Sequence, residues 1–115
     1  MKEFSLVVEL FDAEEAARFL SATSIGLLTL VLNGFMTLDE AEKLIFSPRI
    51  SRILREKGIS QDFCSLIMNC CELEDVLELI PLKFEVSVRD RMVEFLEFLK
   101  KTKAQDPYAI HADFR

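Results

Sequence analysis

The chain is 115 residues long, half of them apolar and 30% charged, with 14 basic residues against 20 acidic ones for a net charge of −6. That size fits one domain able to bury its own core, and three Gly and three Pro exclude collagen-like or linker material. The acidic balance argues against a general nucleic-acid binder, which needs the opposite sign.

In chain order, Phe4, Leu6, Val8 and Leu10 alternate with Ser5, Val7 and Glu9, a strand period. A lone strand needs a partner. Phe84, Val86 and Val88 alternate with Glu85 and Ser87, so residues 4–10 and 83–88 are candidates for a small two-stranded β element. Exchange of the first strand between two chains would satisfy it too, and 82–88 stays open between strand and helix.

Asp12 with Glu15 three residues on reads as a capping box that opens a helix over about 13–33. Ala13, Ala16, Ala17 and Leu20 mark its inner side. Its second half is apolar nearly all round, which predicts the spine of the core. Phe19–Leu38 carries no charge and has the length of a membrane span. Its Ser and Thr residues, and the Asn33-Gly34 stop inside it, favour a buried helix over a span. Gly34 suits the left-handed residue that ends such a helix.

Thr37 and Glu40 repeat the capping pattern ahead of a short helix, 38–46. Ser47-Pro48 starts the next, with Ser47 as cap and Pro48 at the first position, and Gly58 ends it. Ser60 opens a helix through about Cys71. Residues 72–80 form a short acidic helix limited by Pro81, with Leu73, Val76, Leu77 and Ile80 facing inward. The last helix carries Met92, Val93, Phe95, Leu96, Phe98 and Leu99, and ends in lysines that suit the helix C-terminal dipole. The fold class is mainly α, a compact bundle of five or six helices in one domain over 1–103, with 104–115 as a loose polar tail.

Four groups of residues could carry chemistry. Cys64, Met68 and Cys71 fall at i, i+4 and i+7, a helical stripe that reads as core packing. No Cys-x-x-Cys pair accompanies them, and the one His, at 111, sits in the tail. Neither metal nor cofactor is expected, and the odd number of cysteines points to free thiols in a reducing cytoplasm. No cleavable secretory signal is recognisable.

Glu72, Glu74, Asp75 and Glu78 crowd one short helix. Acidic residues in a first turn stabilise it, and the same cluster can serve as an acidic docking patch. Arg49, Arg52 and Arg55 recur every third residue, followed by Lys57. Residues 47–57 carry +3 between two blocks, 1–46 and 58–85, of −5 each. Intramolecular neutralisation or a solvated face accounts for that stripe. Phosphate binding would want interleaved aromatics or a glycine loop, which are missing. Nucleotide loops, His-Glu-x-x-His and a spaced Ser-His-Asp set are missing too, so no enzyme is expected.

Two segments, Leu-Asp-Glu-Ala-Glu-Lys-Leu-Ile-Phe-Ser-Pro at 38–48 and Glu-Leu-Glu-Asp-Val-Leu-Glu-Leu-Ile-Pro at 72–81, resemble a family of short bacterial proteins of uncharacterised function. The likeness extends loosely over 20–100. Where that pattern has a Gly-Thr pair, this chain has Cys70-Cys71. The resemblance implies a helical, cytosolic, bacterial protein without catalytic residues to transfer. In size and acidity it is similar to immunity proteins that neutralise toxins. The functional expectation is therefore an acidic binding protein that blocks a basic, nuclease-type toxin through Glu72, Glu74, Asp75 and Glu78. The alternative is a self-associating structural or regulatory domain, with a homodimer as partner.

Overall fold

The computed structural model describes residues 3–102 and 110–114. It is mainly helical. In chain order the elements are β1 (Leu6–Leu10), α1 (Ala13–Leu32), α2 (Leu38–Leu44), α3 (Pro48–Glu56), α4 (Gln61–Cys71), α5 (Leu73–Leu79), a 3-10 turn (Pro81–Lys83), α6 (Phe84–Lys101) and β2 (Ile110–Phe114).

The caps do what their side chains allow. The Glu15 N–H donates to Asp12 Oδ1 at 3.0 Å, Glu40 N–H to Thr37 Oγ1 at 3.1 Å, Ile50 N–H to Ser47 Oγ at 3.2 Å and Phe63 N–H to Ser60 Oγ at 3.3 Å. Each satisfies one orphan donor of a helix start. Two ends close with a left-handed glycine, Gly34 at φ 79° and Gly58 at φ 91°. At both, the next residue's N–H reaches back five positions, Phe35 to the Leu30 carbonyl and Ile59 to that of Leu54. Glycine carries no Cβ penalty in that conformation.

α1 and α6 are the longest elements and pack antiparallel. Arg18, near the start of α1, donates from Nη1 to the Leu99 carbonyl (2.9 Å), and to the carbonyl and Oγ1 of Thr102, at the end of α6. The buried line of α1 is Ala17, Ser21, Ser24, Leu28 and Val31, spaced 4-3-4-3 like one coiled-coil seam. Its small residues let neighbours approach. The Ser21 and Ser24 hydroxyls donate to the carbonyls four residues back, at 2.8 and 2.7 Å, so their burial leaves no orphan donor.

The second half of α1, apolar nearly all round, lies in the core along one side alone. Ala22, Thr23, Gly26, Thr29 and Leu30 are exposed. A helix covered on one side buries one seam, however apolar its other face. By length and composition α1 could also cross a membrane.

The core proper gathers Leu28, Ile45, Phe46, Phe63, Ile67, Leu73, Val88 and Phe95. Phe46, Phe63, Phe95 and Phe98 stack in tilted pairs with centroids 5.5–6.4 Å apart, the offset geometry aromatic quadrupoles favour.

Residues 83–88 are not a strand. They form the end of the 3-10 turn and the first turn of α6, because Phe84, Val88 and Phe95 also fit a helical spacing and their burial lies on the α6 core side. Alternation over five residues cannot separate the two periods. β1 pairs instead with β2, antiparallel, with Leu6 opposite Phe114 and Leu10 opposite Ile110. That second strand comes from the segment assigned to the tail; residues 103–109 lie outside the described residues.

Candidate functional site: an acidic face shared by α2 and α5

α5 is two turns long. Glu72 ends α4 and starts α5 at once, with its N–H bonded to the Asn69 carbonyl at 3.2 Å. Glu74 and Asp75 occupy the first turn, where the helix dipole favours them. Leu73 is buried at the α4–α5 corner and Val76 is half-buried, whereas Leu77 and Ile80 are exposed. The inward line expected from the sequence thus covers only the first turn. α5 is too short to follow α6, and the chain swings away through the 3-10 turn.

Glu72, Glu74, Asp75 and Glu78 all point to solvent. They are joined by carboxylates that sequence spacing did not bring forward. Glu42 of α2 is half-buried beside Glu74, close enough for a side-chain hydrogen bond, with Asp39 one turn earlier. Burial first, then the Glu74 and Asp39 charges, raise the Glu42 carboxyl above its ordinary range. The Cys71 thiol lies under the same cluster. Burial raises it, and the Glu42 and Glu72 charges add to that.

Among the described residues, Asp39 pairs with Lys43 at 2.9 Å, but Glu42, Glu72, Glu74, Asp75 and Glu78 form no ion pair. Among the described residues, Lys43 is thus the one ion-pair partner of this acidic face. Leu44, Leu77, Leu79, Ile80 and Leu82 are exposed on the same helices and turn, Leu82 at 96%.

The other sequence candidates lie elsewhere. Arg49, Arg52 and Arg55 are exposed on α3 and, among the described residues, pair with no carboxylate. Of the two expectations for the stripe, the solvated face is the one their exposure fits. Arg55 approaches the Cys64 thiol, which burial nonetheless keeps raised. The α3 underside is apolar or neutral: Ile50 and Leu54 are half-buried, and buried Ser51 donates to the Cys64 carbonyl at 3.2 Å.

The stripe Cys64, Met68, Cys71 is corrected. α4 buries Phe63, Cys64, Ile67 and Cys70, while Met68 is exposed and Cys71 half-buried. The helix is rotated so that Phe63 enters the aromatic cluster. All three cysteines are free. Burial drives the Cys70 thiol furthest from ionisation, which makes it an inert packing group. Among the described residues no three His, Cys, Asp or Glu side chains are grouped as metal ligands. His111 lies on β2 opposite Glu9.

α4 meets α6 through a polar pair. Asn69 Nδ2 donates to Glu94 Oε2 at 3.3 Å, and Glu94 Oε1 pairs with Arg91 at 2.9 Å. This pair links the end of α4 to α6.

A family model described as a protein of unknown function, DUF3969, matches residues 11–110. That span contains both segments, 38–48 and 72–81, on which the sequence resemblance rests, and they are α2 with its flanks and α5. No curated protein and no solved structure matches the chain.

Proposed function

Because the chain belongs to the DUF3969 family of proteins of unknown function, its role has to be read from its own surface, and we propose that it is a non-enzymatic binding protein that docks a basic protein through the acidic face of α2 and α5. The observation that carries this reading is the crowding of Glu42 by Glu74 and Asp39, where Lys43, paired to Asp39, is the face's one ion-pair cation among the described residues. Like charges held together oppose folding. A partner that brings lysines or arginines relieves that repulsion on binding, so the electrostatic gain goes into the complex. The exposed leucines beside the carboxylates supply the apolar part of such an interface.

The finer reading is an immunity factor that blocks a basic, nuclease-type toxin. Nuclease sites are positive because they hold phosphates, and an acidic inhibitor is steered to them by that field. A cytoplasmic location goes with this reading, and three free cysteines support it.

The test is titration of the purified protein with the toxin encoded beside its gene, at low and at raised salt. A nanomolar complex whose association slows steeply with salt is expected. Glu74→Lys with Asp75→Lys should weaken it by at least tenfold. An absence of binding at low salt, or binding indifferent to both charge reversals, sinks the proposal.

A further inference from the structure

We infer that the outer face of the α1–α6 pair is a self-association surface, occupied by the same face of a second copy across a two-fold axis. The inference is independent of the acidic docking face, which lies on α2 and α5.

α6 carries two seams. The inner one, Phe84, Val88 and Phe95, is buried or half-buried in the core. The outer one is Val86, Arg89, Val93, Leu96 and Lys100, spaced 3-4-3-4, and all of it is exposed. A seam of that period on a solvated helix is a packing surface for another helix. The single charge in its middle, Arg89, is already paired to Glu85 at 3.1 Å.

The neighbouring helix repeats the pattern. From Phe19 to Asn33, α1 and its cap have no charged residue, although Ala22, Thr23, Gly26, Thr29 and Leu30 are exposed. A solvated helix face of that length ordinarily carries charge. Gly26 sits in mid-helix, where glycine is costly relative to alanine, and a Cβ there would meet nothing within 4 Å. Packing among the described residues gives no reason for it. Close approach of a second backbone does.

Size and charge select a second copy as the occupant. A 20-residue helix is about 30 Å long, and two adjacent helices are about 20 Å wide. The face therefore offers about 600 Å² in projection per copy, close to the roughly 800 Å² per partner of a stable interface. A two-fold axis perpendicular to the helices, at residue 90 of α6, lays each helix antiparallel on its own copy. Lys83 then lies opposite Glu97 of the second copy. On α1, Leu30 of one copy meets the open surface at Gly26 of the other. The face is thus complementary to itself, as an isologous contact requires.

Sedimentation of the full chain at micromolar concentrations tests this. The wild type is expected at twice the 13.2 kDa chain mass. Val93→Glu with Leu96→Glu, both at half-exposed positions, is expected at the single-chain mass with unchanged helical circular dichroism. Glu74→Lys with Asp75→Lys is expected to keep the doubled mass, which separates this face from the acidic one. A wild type that stays monomeric overturns the inference. So does a dimer that survives the double glutamate variant, which would point to the β1–β2 pair instead. Flotation of a monomeric wild type with neutral phosphatidylcholine vesicles would overturn it in favour of a lipid surface.

Discussion

At the scale of single residues, Glu42 and Arg18 show opposite uses of charge. Glu42 has a raised carboxyl because burial and then Glu74 and Asp39 disfavour its anion. Its folded form therefore holds a proton more tightly than the unfolded chain does. Stability from this group is greatest below the ordinary carboxyl range and falls as pH rises through the window just above it. Glu42→Gln should accordingly raise the thermal midpoint at pH 7, and only slightly given the solvent screening at this site. The gain should vanish near pH 4, which melts followed across pH would show. Arg18 instead places a fixed cation on the last carbonyls of α6. Arg18→Ala should cost about 1–3 kcal/mol in urea unfolding, since charge-assisted hydrogen bonds and the helix dipole are lost together. Neither role follows from spacing. Glu42 and Glu74 are 32 positions apart in the sequence, and Arg18 reads as one charge on an amphipathic turn until α6 lies beside it.

At the scale of elements, what was legible is what local chemistry decides. Asp12, Thr37, Ser47 and Ser60 cap the helices they were read to cap, and Gly34 and Gly58 end two of them. Thr37→Ala should therefore cost about 1 kcal/mol by chemical denaturation, whereas Thr37→Ser should be nearly silent. The errors fall where tertiary placement decides. Residues 83–88 alternate like a strand, yet α6 needs Phe84 and Val88 on its core side. The α4 stripe holds at buried Cys64 and fails at exposed Met68, with Cys71 half-buried, because the Phe63 ring turns the helix toward the aromatic cluster. The second half of α1 reads as the spine of the core because composition reports apolarity and is blind to which side a neighbour covers. Its seam makes a sharp prediction. Ser21→Ala should be nearly neutral, since that hydroxyl bonds only to its own helix, while Ser21→Leu should cost about 1–3 kcal/mol by overpacking the buried seam.

At the scale of the whole molecule, a net charge of −6 is unevenly spent. α3 exposes arginines that stay clear of the acidic face, so the protein presents a basic and an acidic surface at once. The aromatic cluster ties the helices between them, and Phe95, buried between Phe46 and Phe63, is its centre. Phe95→Ala should cost about 3–5 kcal/mol. A calorimetric melt that moved little would mean the helices hold without that ring. The pairing of β1 with β2 has a consequence for biogenesis. Phe114, the ladder partner of Leu6, is made more than a hundred residues after it. The helical body can collapse as it is translated. The ribbon has to wait, and until it closes the nascent protein trails a greasy first strand for chaperones to shield.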